Sequence, residues 1–133
     1  MEFFSRAAIR TDAEELQRRL RIAALPRWCA SIQTVFDDQG ASGEIYCVWG
    51  SFRVQREELA DGVRFSLPGC PNALQWTVTA GPAPDSEHIV VHLTINRPEH
   101  DADFVASLRQ FVNDWRVGLE SRWCYDTVPA QER

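Results

Sequence analysis

The side chains that could do chemistry here are few, and their spacing argues against most of it. The cysteines are Cys29, Cys47, Cys70 and Cys124. No two fall at the two-to-four-residue separation of a zinc knuckle, so the sequence predicts free thiols and no metal. His88 and His92 share one face of an alternating stretch, opposite Ile89, Val91, Leu93 and Ile95, and His100 follows in a loop. Two histidines four apart on a strand are not the helical pair of a metalloprotease. Asp85, Glu87 and His88 read as a solvated loop. No nucleophile elbow, phosphate loop or dinucleotide fingerprint is present. A proton-abstracting residue would have to be drawn from Tyr46, Arg56 and Arg122. No catalytic residue and no cofactor is assigned.

What remains is aromatic. Trp28, Trp49, Phe52, Phe65, Trp76, Phe111 and Trp115 form a heavy set for a chain of 133 residues. Such a set is either packed core or the wall of a cavity for a flat apolar molecule. Gly118 bears on that choice, because helical stepping puts it on the apolar side of its helix between Phe111 and Trp115. Its missing side chain either leaves ligand space beside Trp115 or lets a strand or Trp76 approach closely. Arg122, one turn beyond Leu119, either meets a ligand carboxylate or hydroxyl, or satisfies carbonyls in the last helical turn. Arg56 shares the parity of Phe52 and Val54, which places it at the inner rim of its sheet, where a salt bridge is the common outcome.

These residues need elements to hold them. Phe104, Leu108, Phe111, Trp115 and Leu119, widened by Val105 and Val112, make one stripe of a long helix from about Asp101 to Tyr125. Asp101 or Asp103 caps its start. Glu2 to Arg10 reads as a strand. Thr11-Asp12-Ala13-Glu14 reads as a capping box opening a helix with Leu16 and Leu20 inward. Leu25-Pro26-Arg27-Trp28-Cys29 forms a second short helix or turn. Between Ser31 and Asn96 the sequence alternates through six strands. Turns fall at Asp37-Asp38-Gln39-Gly40, Gly50-Ser51, Asp61-Gly62, Pro68 to Asn72 and Gly81 to Ser86. A two-residue turn at Gly50-Ser51 would set Trp49 opposite Phe52 and Cys47 opposite Val54. Residues 126–133 read as a frayed tail.

The length and the even mix of apolar and charged residues fit one domain, residues 1–125, able to bury its own core. The formal net charge of −5 argues against a nucleic-acid surface. No apolar run is long enough to span a bilayer. The first ten residues do not read as a signal peptide, so a cytoplasmic address is expected.

The order is strand, two short helices, six antiparallel strands and one long helix. It resembles the START/Bet v 1-like superfamily, also called SRPBCC, with its helix-grip fold. The resemblance rests on Thr11-Asp12-Ala13-Glu14-Glu15-Leu16, on Leu25-Pro26-Arg27-Trp28 and on the helix from Phe104 to Trp123. It implies an α+β fold in which a curved antiparallel sheet wraps the last helix around a ligand cavity. The cavity would be lined from the sheet by Trp49, Phe52, Val54, Phe65, Trp76 and Val91, and from the helix by Phe111, Trp115, Gly118, Leu119 and Arg122. The expected partner is a small apolar or aromatic molecule, bound without chemistry. The superfamily also includes polyketide cyclase/aromatase enzymes and Hsp90 activators. A catalytic role and a protein-interaction role are therefore the alternatives.

Overall fold

The structure is a computed structural model and describes residues 1–81 and 87–126. The expected loop from Gly81 to Ser86, beyond its first residue, and residues 127–133 of the expected tail lie outside the described residues.

The strands are β1 (Glu2–Ala7), β2 (Ile32–Asp38), β3 (Ser42–Cys47), β4 (Gly50–Leu59), β5 (Gly62–Ser66), β6 (Gln75–Ala80) and β7 (Ile89–Thr94). They form one curved antiparallel sheet of seven strands in the order β1-β7-β6-β5-β4-β3-β2. Strands β2 to β7 follow one another as hairpins, and β1 adds to the free side of β7. The helices are α1 (Ala13–Arg19), α2 (Leu25–Trp28) and α3 (Ala102–Asp126), with a 3-10 turn over Ile22–Ala24. The long helix α3 packs on β1, β7 and α2.

Alternation explains the sheet's inner face. Ile45, Cys47, Val54, Val63, Phe65, Trp76, Val78, Ile89, Val91 and Leu93 are all sealed from solvent, as period-2 strands with one covered face require. From α3, Leu108, Phe111, Val112, Trp115, Leu119 and Trp123 are buried against them, while Phe104 stays half-buried.

Local chemistry shifts several expected boundaries. The α1 cap is Asp12, not Thr11: its carboxylate accepts from the Glu15 backbone N–H at 2.8 Å. A charged acceptor makes the stronger cap. Glu15 then turns to Arg18, whose hydrogen bond holds the Glu15 carboxyl below its usual range. At α3 the cap is Asp101, which accepts from the Phe104 N–H at 2.8 Å. Strand β2 does not alternate cleanly. Its register against β3 shifts twice, between Ile32 and Thr34 and between Val35 and Asp37, and Phe36 is left exposed.

The β3–β4 turn is also displaced. The ladder pairs Cys47 with Gly50, Ile45 with Phe52 and Gly43 with Val54. The turn residues are therefore Val48 and Trp49. Gly50 has φ +116, a left-handed conformation glycine adopts without steric cost, so the glycine closes this turn and does not sit inside it. Trp49 consequently rides at the hairpin tip and does not face Phe52 across the ladder.

Candidate functional site

Moving Trp49 to the tip gives it a different job. Its indole N–H donates to the Ser107 hydroxyl at 2.8 Å, tying the β3–β4 hairpin to the first turns of α3. Its ring lies 6.1 Å from Phe104 and 5.0 Å from Phe111, centroid to centroid. Behind it, Phe111 meets Trp76 edge-on at 4.9 Å, and Trp76 stacks on Phe65 at 5.3 Å. Offset and edge-on contacts of this kind are the favoured geometries of aromatic pairs. A row of rings thus runs from the N-terminal end of α3 into the core.

The outer end of that row borders a recess of about 260 Å³, walled by Trp49, Phe52, Leu67, Cys70, Pro71, Asn72, Leu74 and Phe104. Three elements build it: the β3–β4 hairpin, the β5–β6 connection and the start of α3. The volume lies below the roughly 300–1,000 Å³ of pockets that hold drug-sized ligands. It suits a one- or two-ring molecule.

Of the expected lining, Trp49 and Phe52 reach this recess. Val54, Phe65, Trp76, Val91, Phe111, Trp115 and Leu119 are instead sealed in the core, because the inner rings fill the space between sheet and helix. The indole N–H groups of Trp76 and Trp115 are buried with no hydrogen-bond partner among the described residues. Gly118 lies beside α2: a β-carbon there would run into the Trp28 carbonyl oxygen and stand 2.6 Å from the carbonyl carbon. Of the two readings of Gly118, close approach is therefore the one realised, and it is made by α2, not by a strand or Trp76. Arg122 is exposed and does not line the recess. The next position, Trp123, takes the inward place four residues after Leu119.

Leu67, Cys70, Pro71, Asn72, Leu74 and Phe104 were missed as lining. The five residues from Pro68 to Asn72 read only as a turn, although apolar residues flanking a Pro- and Cys-containing turn are the available sign of a wall. Phe104 belongs to the core stripe in the sequence but is half-buried, with Trp49 and His100 as its ring neighbours.

The candidate proton-abstracting groups also lie elsewhere. Tyr46 is 45% exposed on the outer face. Arg56 does reach the inner rim, and its guanidinium donates to the carbonyls of Leu20 at 2.8 Å and Gln17 at 2.6 Å, with Glu58 at 3.3 Å. It holds the C-terminal end of α1 against β4. Among the described residues no group of His, Cys, Asp and Glu could hold a metal ion, and no helix is long and apolar enough to cross a membrane.

A wider groove of about 570 Å³ runs along the outside between β1 and α3, with Arg6, Arg109, Arg116 and Glu2 in its walls. Arg109 lies over the Phe3 ring at 5.3 Å, and Arg116 is held by Glu120 and Asn113. Charged walls do not suit an apolar ligand.

Among the described residues no disulfide joins Cys29, Cys47, Cys70 or Cys124. Burial pushes the Cys29 thiol far above its ordinary value and raises Cys47 as well. Thiolate is the reactive form, so a thiol reagent should modify exposed Cys124 first, half-exposed Cys70 more slowly, and Cys29 and Cys47 only on unfolding. Peptide mapping of the labelled native protein checks this, and labelling of Cys29 before Cys124 would contradict it. The raised thiol pKa values stabilise the fold fully below the ordinary value of 9.0. That contribution is lost as pH rises above it toward the folded-state values.

A helix gripped by a curved antiparallel sheet, with a recess at one end of the helix, defines the helix-grip class. Solved structures agree: the chain has the START/Bet v 1-like fold. An uncharacterized protein from Bacillus thuringiensis aligns with TM-score 0.65 at 13% identity, over 93% of this chain and 99% of that one. A START superfamily protein from Mycobacterium smegmatis aligns with TM-score 0.65 at 14% identity, over 96% and 98%. A protein from Deinococcus radiodurans aligns with TM-score 0.55 at 21% identity, over 90% and 99%. No family model matches the sequence, and no curated protein matches it.

Proposed function

We propose that the protein binds a small, flat, apolar or aromatic molecule in the recess between the β3–β4 hairpin, the β5–β6 connection and the start of α3, without acting on it chemically. The observation that carries this reading is the wall itself. Trp49, Phe52, Leu67, Leu74 and Phe104 present apolar surface around about 260 Å³ of open space, at the outer end of a row of rings that already stack on one another. The binding reading is favoured over an aromatase-like one because, among the described residues, the wall includes no carboxylate, histidine or tyrosine to move a proton.

The test uses p-xylene as the probe. Titration should give saturable binding followed by tryptophan fluorescence and a rise in melting temperature, since a ligand that binds only the native state stabilises it. Cys70→Phe adds a ring to the wall and should abolish both signals while the protein still melts cooperatively. Absence of saturable binding to the parent, or equal binding by Cys70→Phe, would overturn the proposal.

A further inference from the structure

Resting on the binding site just proposed, we infer that Asn72 selects the ligand: the recess takes a neutral aromatic molecule bearing one hydrogen-bonding group, a phenol or an aryl carbonyl, in preference to a pure hydrocarbon. Asn72 is in the recess wall and only 9% exposed. Its side-chain amide makes no hydrogen bond to any described residue, yet it is not among the sealed polar atoms, as the Trp76 and Trp115 indole nitrogens are. The amide therefore keeps contact with open space. A ligand that fills the recess takes water from this amide, which is then costly to leave unpaired unless the ligand brings a hydrogen-bonding group, and a primary amide can both donate and accept.

The backbone holds Asn72 in that place. The Leu67 N–H donates to the Leu74 carbonyl at 3.0 Å, Cys70 N–H to Leu67 at 3.0 Å, and Ala73 N–H to Cys70 at 3.0 Å. From outside the loop, the Asn96 N–H donates to the Asn72 carbonyl at 2.9 Å. Next to it, Ala73 has φ +50, the one non-glycine residue in the left-handed region among the described residues. Such strain persists only where surrounding contacts over-determine the backbone, and it gathers at ligand sites. Among the described residues no ionic side chain is in the wall, so a charged ligand group would be desolvated there without a counter-charge. The amide suits a neutral hydroxyl or carbonyl.

The experiment compares p-cresol with p-xylene, which differ by a hydroxyl in place of a methyl group. Asn72→Leu keeps the heavy-atom count and branching of the side chain and the backbone bond from Asn96. It should weaken p-cresol binding by ~tenfold, the loss expected of one neutral hydrogen bond, and leave p-xylene binding unchanged or tighter. In the parent, the Asn72 side-chain NH2 resonances should shift with p-cresol and stay in place with p-xylene. This second readout needs no variant and decides the matter even if Asn72→Leu fails to fold. Binding of both probes with equal loss in the variant, or with no selective NH2 shift, would overturn the role of Asn72 while leaving the recess as a hydrocarbon site. Failure of both probes to bind the parent would overturn the recess itself.

Discussion

Gly118→Ala is expected to lower the melting temperature by several degrees, although alanine is the better helix former. In an exposed helix interior the exchange would gain about 1 kcal/mol. Here the new methyl group is driven into the Trp28 carbonyl of α2, with the carbonyl carbon only 2.6 Å away. The obstacle is backbone, which cannot swing aside as a side-chain end can. Overpacking costs typically about 1–3 kcal/mol and occasionally more, so a net loss near 2 kcal/mol is expected. A melt shift of roughly 4 °C per kcal/mol follows for a domain of this size. Gly118→Leu should not fold cooperatively at all. Thermal melts of both variants check this, and an unchanged or raised midpoint for Gly118→Ala would show that α2 and α3 can separate there. Because Gly118 is remote from the recess, probe binding per folded molecule should be unchanged in Gly118→Ala.

Arg19→Ala should be comparably damaging, at about 2–4 kcal/mol. The Arg19 side chain is only 3% exposed. Its guanidinium lies 3.7 Å from the Trp123 ring centroid and 5.7 Å from that of Trp28. One arm donates to the Trp123 carbonyl at 2.6 Å, and the Glu15 carboxylate stands 3.9 Å away. Truncation removes a desolvated cation–π contact, worth up to about 2 kcal/mol. It also removes a hydrogen bond to a carbonyl near the end of α3 and leaves a gap between two tryptophans. Arg19→Lys should recover less than half of the loss, since an ammonium is compact and cannot lie flat on the indole while it reaches the carbonyl. Chemical denaturation of the pair measures it; full recovery by lysine would reduce the role of Arg19 to its charge.

Together Gly118, Trp28, Arg19 and Trp123 assign the two halves of α3 to different tasks. The C-terminal half is locked onto α1 and α2. At the N-terminal end, Phe104 lines the recess. The proposed ligand site therefore lies at that end of the helix, away from Gly118.

Much of this architecture was legible in the amino-acid order. The stripe from Leu108 to Leu119, the alternation of Leu74, Trp76 and Val78, and that of Ile89, Val91 and Leu93 state which surfaces must be covered, since hydrophobic period follows directly from backbone geometry. Element order then leaves few ways to cover them. Tertiary structure alone decided what each buried ring touches. Whether Trp76 and Trp115 line a void or fill it depends on the separation of sheet and helix. No local pattern encodes that separation, because it is set by the volumes of residues far apart in the chain. The place of Trp49 turned on a two-residue shift of the hairpin turn, from Gly50-Ser51 to Val48-Trp49, with Gly50 adopting positive φ. Helical projection puts Gly118 on the apolar side but does not say what approaches it, because its neighbour, the Trp28 carbonyl, is 90 positions away. Asn72 carried no signal beyond that of a turn residue. Its amide acquires meaning only where the Leu67–Leu74 connection, the β3–β4 hairpin and Phe104 come together around one recess.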